Sequence, residues 1–426
     1  MISVKGAIMK LDIKKTAFIG LGFMTIMMLW QVYNYMVPIY LDDFLTGIFN
    51  FEGAELVIGI VMALDNLFAL FMIPLMSYFS DKTKTRIGRR MPYIIVGIIS
   101  AAVAFVFLPF TKNVSIWLLI ANILLVLICM NIYRSPCVAL MPDVTPKPLR
   151  STANSIINIM GGCGIAVGYI SIILFGNNGS GIIPFFIVSG MMLLLLAIML
   201  VKVNEVKLVG EFNEYKAAHP EEDDTEEETE KGTLAKANRK NVWLILMTVF
   251  FIYMSTNAVE TFISLYSQYV FEDLKMGAIA IIPFGIASFI FAVPGALLAS
   301  KFGRKATVIS GAALMMLSYI FIAFFGAFSW WILVGFFIAG VGFAFIVTNI
   351  YPMVVDNCDA ANTGKYTGYY YTASMLAQSL TPALSGLAIS RLVFNSYRVL
   401  FPYAFVFIAC AIITLLFVRK NKNDKA

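Results

Sequence analysis

Three ionisable side chains stand inside otherwise apolar stretches of this 426-residue chain: Asp65, Arg134 and Glu260. A charge in hydrocarbon is costly unless it faces protein or water, so such residues mark paths for ions or polar solutes. Asp65 lies 16 residues before the charged Asp81 loop, which at 1.5 Å per helical residue sets it roughly 24 Å deep. A buried carboxylate balanced by a nearby guanidinium can take up and release a proton. Asp65 with Arg134 is the candidate for that role, and Glu260 holds the comparable position later in the chain. The competing reading is a permanent Asp65–Arg134 pair that only locks helices, with Arg134 able instead to reach toward the interface.

Hydrogen-bonding side chains surround these charges at helical spacing. Gln31, Asn34, Tyr35 and Pro38 fall at i, i+3, i+4 and i+7, and Asn257, Glu260, Thr261, Ser264 and Gln268 repeat the pattern. Tyr371, Ser374 and Gln378 make a third stripe, while Trp30, Asn66 and Asn349 add to the polar and aromatic set. Amides and hydroxyls interleaved with aromatic rings suit a ligand with many hydroxyls and apolar faces, that is, a sugar. The alternative for each is helix–helix hydrogen bonding. Gly161, Gly162, Gly164 and Gly168 give a small-residue face suited to close packing. Cys129, Cys137, Cys163, Cys358 and Cys410 show no paired spacing, and the single histidine, His219, has no partner for a metal site. No nucleophile–base pairing or phosphate loop occurs, so the expectation is no enzyme, no cofactor and no metal.

These side chains need helices that cross a membrane to position them. Apolar residues make up 60% of the chain and charged residues 13%, outside the range of soluble domains. Runs long enough to span occur at approximately 16–41, 55–79, 92–111, 115–140, 151–176, 182–203, 241–270, 276–299, 306–327, 329–355, 366–390 and 398–419. Twelve helices in two six-helix halves, residues 1–203 and 241–426, flank a linker at 204–240 whose acidic run reads as solvated. Spans three, six, nine and twelve lack strongly polar residues and are expected to face lipid, with the others lining a shared interior. About 26 of the 31 Lys and Arg residues fall in alternate connections, which places both termini in the cytoplasm and argues against nucleic acid as partner. The first apolar run is too long for a signal peptide and is expected to stay as the first helix.

The loop Ser80-Asp81-Lys82-Thr83-Lys84-Thr85-Arg86-Ile87-Gly88-Arg89-Arg90-Met91-Pro92-Tyr93 is echoed by Ser300, Lys301, Gly303, Arg304 and Lys305, without the acid. This repeated pattern resembles the major facilitator superfamily. Its longer form, with Arg134-Ser135-Pro136 and Ala139 to Pro146 followed by Arg150, is similar to the glycoside–pentoside–hexuronide:cation symporters and the related sucrose/proton symporters. The resemblance implies an all-α integral membrane protein of two pseudo-symmetric halves that moves a glycoside or disaccharide into the cell by alternating access. Cytoplasmic ion pairs are expected to hold the outward-open state: Asp81 with Arg86, Arg89 and Arg90, Asp143 with Arg150, and Asp356 with Lys365 are the candidate latches, and Lys301, Arg304 and Lys305 of the repeated loop belong to the same cytoplasmic gate. On this alignment the sodium-binding acids of melibiose-type members fall on Ala69 and Ile73, so a proton is the expected coupling ion and sodium the alternative.

The expected protein is thus a monomeric sugar symporter of the cell membrane, with the lipid bilayer as its surroundings. Two rivals remain open from the sequence. An efflux carrier for amphipathic compounds on the same fold predicts an apolar cavity, and a non-transporting membrane sensor needs neither Asp65 nor Glu260.

Overall fold

The computed structural model describes residues 11–112, 114–177, 181–218, 239–358 and 363–419. The acidic run 221–230 and His219 lie outside the described residues. The chain is all-helical: α1 (Ile13–Asp42), α2 (Ala54–Lys82), α3 (Met91–Thr111), α4 (Ile116–Asp143), α5 (Arg150–Phe175), α6 (Ile183–Lys202) and α7 (Glu205–Ala218). Then come α8 (Arg239–Val270), α9 (Leu274–Ile290), α10 (Ala292–Phe302), α11 (Arg304–Ala323), α12 (Trp331–Asp356), α13 (Thr363–Ile389) and α14 (Leu400–Phe417).

Apolar side chains on both faces explain why these helices suit hydrocarbon. In α3, Ile94, Ile98, Ala101 and Phe105 are buried in protein, while Val96, Ile99, Val103 and Phe107 are exposed along the other side. A helix apolar all round is stable only when lipid covers the face that protein does not. Ten of the described helical segments are long and apolar enough to span, and α9 with α10 makes one further span bent by 51°. The bend has a local cause: Pro294 lacks an N–H and its ring excludes the carbonyl of Ile290, so the helix breaks at Phe291. The 27-residue α13 completes twelve spans; its Tyr, Thr, Ser and Gln side chains make it less apolar than the rest.

The chain divides into two compact units, Met1–Tyr40 with Leu67–Thr229, and Leu41–Asn66 with Glu230–Ala426. The boundary differs from a simple halving of the sequence, because the end of α1 and the first half of α2 pack with the second-half helices. Within the first unit α5 lies close against α1. A Cβ on Gly164 would collide with the Met24 carbonyl and one on Gly168 would sit 2.9 Å from the Gln31 Cβ, which fits the packing face expected there. Gly162 meets nothing. One part of the expected solvated linker is ordered instead: α7 is a 14-residue helix with Glu205 and Leu208 buried.

Candidate functional site

The charged hinge after α2 is built around one helix start. The N-cap residue of α3, Arg90, offers no side-chain cap, so the first N–H groups of the helix need an acceptor. Glu205 supplies it from α7. Its Oε1 accepts from the Arg89 N–H at 2.8 Å and the Arg90 N–H at 3.0 Å, and its Oε2 from the Met91 N–H at 2.9 Å. A carboxylate at a helix N-terminus is favoured by both these donors and the helix dipole. Gly88, at φ 116°, makes the turn, and any side chain there would strike Glu205.

The arginines then clamp three helix ends. Arg90 is buried and pairs with Asp81 on α2 and with Asp143 on α4, the latter at 2.8 Å, while Arg89 reaches the other Asp143 oxygen at 2.8 Å. The expected latches need correction. Asp143 is held by Arg89 and Arg90, and Arg150 donates instead to the carbonyls of Thr145 and Pro142 at 3.1 and 3.2 Å. Arg86 makes no ion pair among the described residues. In the second unit Asp356 pairs with Arg304, and the Lys365 ammonium stands 5.8 Å from the Tyr369 ring centre. Lys305 caps the end of α14 through the carbonyls of Leu416 and Val418, and Lys301 lies by Phe302. Gly303 keeps a positive φ of 88°, so the echo of the loop is structural as well as sequential.

Sequence reading missed Glu205 because it opens a stretch dominated by charge. The available signal was Leu208, three residues on and therefore on the same helix face. Glu205→Ala leaves the buried N–H groups without their charged acceptor, a loss on the order of 3 kcal/mol. The expected outcome is a melting temperature in detergent lowered by several degrees, with no shift for Lys207→Ala, whose side chain is exposed.

In the first unit, Arg134 stays within α4, its guanidinium 4.4 Å from the Trp30 ring centre in a cation–π contact. Trp30, Gln31 and Asn34 are half-buried along one side of α1. Tyr35 departs from the expected ligand set: it is buried and meets Tyr169 edge-on at 6.3 Å, a core contact. Asn131, missed as a candidate, is fully buried, and its Oδ1 accepts no hydrogen bond among the described residues.

The second unit holds the rest. Asp65 is buried at mid-length in α2 and belongs to the second unit, whereas Arg134 belongs to the first. Asn66 donates to the Gln378 carbonyl at 3.3 Å, and the Gln378 amide donates to the Ser374 carbonyl at 3.2 Å. Asn349 is likewise used in packing: it is buried and donates to the carbonyls of Gly295 and Phe345 at 3.2 and 2.8 Å, tying α10 to α12. Tyr371 is 56% exposed. The α8 stripe behaves differently. Asn257 Oδ1, Ser264 Oγ and Gln268 Oε1 are all buried, and none has a hydrogen-bond partner among the described residues. Half-buried Glu260 lies on the same face. Buried polar atoms are rarely left unsatisfied, so three on one face are suited to a hydroxyl-rich ligand.

A family model described as Major Facilitator Superfamily matches residues 19–382 and again 269–426. No curated protein sequence matches the chain. The inward-open xylose transporter XylE from E. coli is similar in structure, with a TM-score of 0.69 at 16% identity over 96% of each chain. The nucleoside transporter NupG gives 0.67 at 15% identity over 94% of this chain and 98% of its own. A bacterial homologue of the iron transporter ferroportin, in an inward-facing state, gives 0.69 at 10% identity over 96% and 99%.

Proposed function

The chain belongs to the major facilitator superfamily and is a multi-pass membrane transporter, not an enzyme; on that premise we propose that it is a proton-coupled symporter bringing a sugar, a glycoside or disaccharide, into the cell. The observation that carries the sugar is the α8 stripe, where Asn257, Ser264 and Gln268 hold unsatisfied buried oxygens on one face. Sugar hydroxyls supply donors at such spacing, and the ring's apolar face suits an aromatic neighbour. XylE and NupG, by their names, carry xylose and nucleosides, both polyhydroxylated.

Asp65 supports coupling to protons: it is a buried carboxylate in an apolar helix, with Ala69 and not a second acid one turn on. With about 100 mV across the membrane, one proton entering per sugar provides about 2.3 kcal/mol, close to 50-fold accumulation. The proposed cycle is alternating access about a midplane site. The Asp81–Arg90–Asp143 and Arg304–Asp356 pairs would act as cytoplasmic latches, each biasing the equilibrium by a few kcal/mol or less.

The test of symport is direct. Adding transported sugar to de-energised cells alkalinises the medium if protons enter with it; sugar entry with no pH change contradicts the coupling. The proposed orientation, in the cell membrane with both termini in the cytoplasm, makes a second prediction. A cysteine at Lys84, exposed in the hinge, is labelled by an impermeant maleimide in inside-out vesicles and not in intact cells. Labelling in intact cells overturns that orientation.

A further inference from the structure

α11 and α14 run side by side in opposite directions through the second unit. α11 leaves the Arg304 hinge, and α14 ends beside it, where Lys305 donates to the Leu416 and Val418 carbonyls. The 20 residues of α11 carry its other end roughly 30 Å from that hinge, a full hydrocarbon thickness. At this far end the two helices leave a groove of about 210 Å³ between them. Its floor is aromatic, made by the buried rings of Tyr319 and Phe401 with centroids 6.0 Å apart. Ala323, Phe324 and Pro402 also line it and are exposed, so the groove is open on the side away from the protein.

The mouth of the groove carries a charge. Arg398 lies in the single turn Tyr397–Val399 that leads into α14, three residues before Phe401 and therefore about one helical turn above the floor. Its guanidinium donates to the Gly326 carbonyl at 3.2 Å, which holds it over the chain leaving α11. The side chain is exposed and makes no ion pair among the described residues, so most of its five N–H donors can serve another acceptor. Trp330 and Trp331, both exposed, stand just beyond at the start of α12. Exposed tryptophans gather at the level of lipid headgroups, which sets the depth of Arg398 as well.

We propose that this groove binds an anionic phospholipid, with one acyl chain along Tyr319 and Phe401 and its phosphate on Arg398. Charge selects the head: a guanidinium at headgroup level pairs with a phosphate through parallel N–H donors. Size selects the tail. One turn of helix with its side chains, ~10 Å across and 5.4 Å high, fills roughly 400 Å³, so a second membrane helix does not enter the groove and an unbranched chain does. A lipid seated here ties the far ends of α11 and α14 together, as Lys305 does at the near ends. None of the α8 stripe residues lines the groove, which separates it from the face proposed for the sugar.

The test counts bound lipid and uses no sugar, so its failure is separable from failure of the sugar reading. Purified full-length protein in mild detergent, stripped of lipid, is titrated with phosphatidylglycerol and, separately, with phosphatidylcholine of the same chains, and native mass spectrometry gives the affinities. Phosphatidylglycerol is expected to bind about fivefold more tightly. Arg398→Gln removes that preference, while Arg391→Gln, at another exposed arginine before α14, keeps it. Ala323→Trp, which fills the groove with an indole, weakens both lipids at least tenfold. If Ala323→Trp fails to fold, Arg398→Gln decides, because its exposed site tolerates the change. Equal binding of the two lipids by the unaltered protein, or a preference that survives Arg398→Gln, overturns the proposal. Unchanged lipid affinity in folded Ala323→Trp also overturns it, as does a dimer that this variant dissolves, since a second copy would then fill the groove.

Discussion

Replacing Asp65 by Asn is expected to abolish uphill sugar accumulation while leaving sugar exchange across the membrane in place. The side chain is buried at mid-length in α2, where a permanent charge is costly and a neutral acid is not. Asparagine keeps the shape and one accepting oxygen but cannot carry a proton, so it fixes the group in the state that resembles the loaded carrier. Accumulation should fall from about 50-fold to unity at about 100 mV, since the coupling free energy of about 2.3 kcal/mol no longer reaches the sugar. Glu260→Gln is the comparison. It lies on the α8 face with the unsatisfied oxygens, half-buried. If Glu260→Gln uncouples and Asp65→Asn does not, the carrier is in the second unit's α8 and the assignment to Asp65 fails. Accumulation measured with wild-type pH dependence in Asp65→Asn makes Asp65 a structural residue.

Asn257→Ala and Asn349→Ala should part company, and by a wide margin. Both residues sit in apolar spans and look alike in sequence. Asn349 spends its amide on the carbonyls of Gly295 and Phe345, so truncation removes a link between helices and lowers the melting temperature, with KM little changed. Asn257 Oδ1 has no protein partner among the described residues. Its removal costs the fold little and can even stabilise it, because a buried unsatisfied group disappears. Sugar affinity is expected to drop roughly 10- to 100-fold, the worth of one or two buried hydrogen bonds to hydroxyls. Equilibrium binding and thermal melting of the two variants separate the roles. A destabilised Asn257→Ala with unchanged binding would return α8 to the class of helix–helix packing.

Membrane helices were legible in the chain because their signal is local: length and continuous apolarity suffice, and even α13, the most polar span, shows as a run bounded by turns. The hinge was legible for the same reason, and Gly88 and Gly303 both stand in positive-φ turns. What could not be read were pairings between distant residues. Asp143 was matched in sequence with Arg150, seven residues on, but its partners are Arg89 and Arg90, brought to it by the packing of α3 on α4. Glu205 was lost in a charged stretch because capping a remote helix leaves little trace in sequence beyond Leu208 on the same face. The same holds for the groove below Arg398, which exists only once α11 and α14 lie side by side. Among the polar candidates, sequence could not tell Asn349 and Asn66, satisfied by backbone carbonyls, from Asn257 and Gln268; only the tally of partners does so.

Counterflow in proteoliposomes decides whether the protein binds and moves a sugar. Vesicles holding purified full-length protein are loaded with a high concentration of one unlabelled sugar, diluted into a trace of the same labelled sugar, and followed over time across a panel of glycosides and disaccharides. A transient overshoot of label is expected for at least one member, retained in Asp65→Asn and weakened in Asn257→Ala. No overshoot for any sugar, from protein that is folded and correctly inserted, would contradict a sugar-binding site on α8.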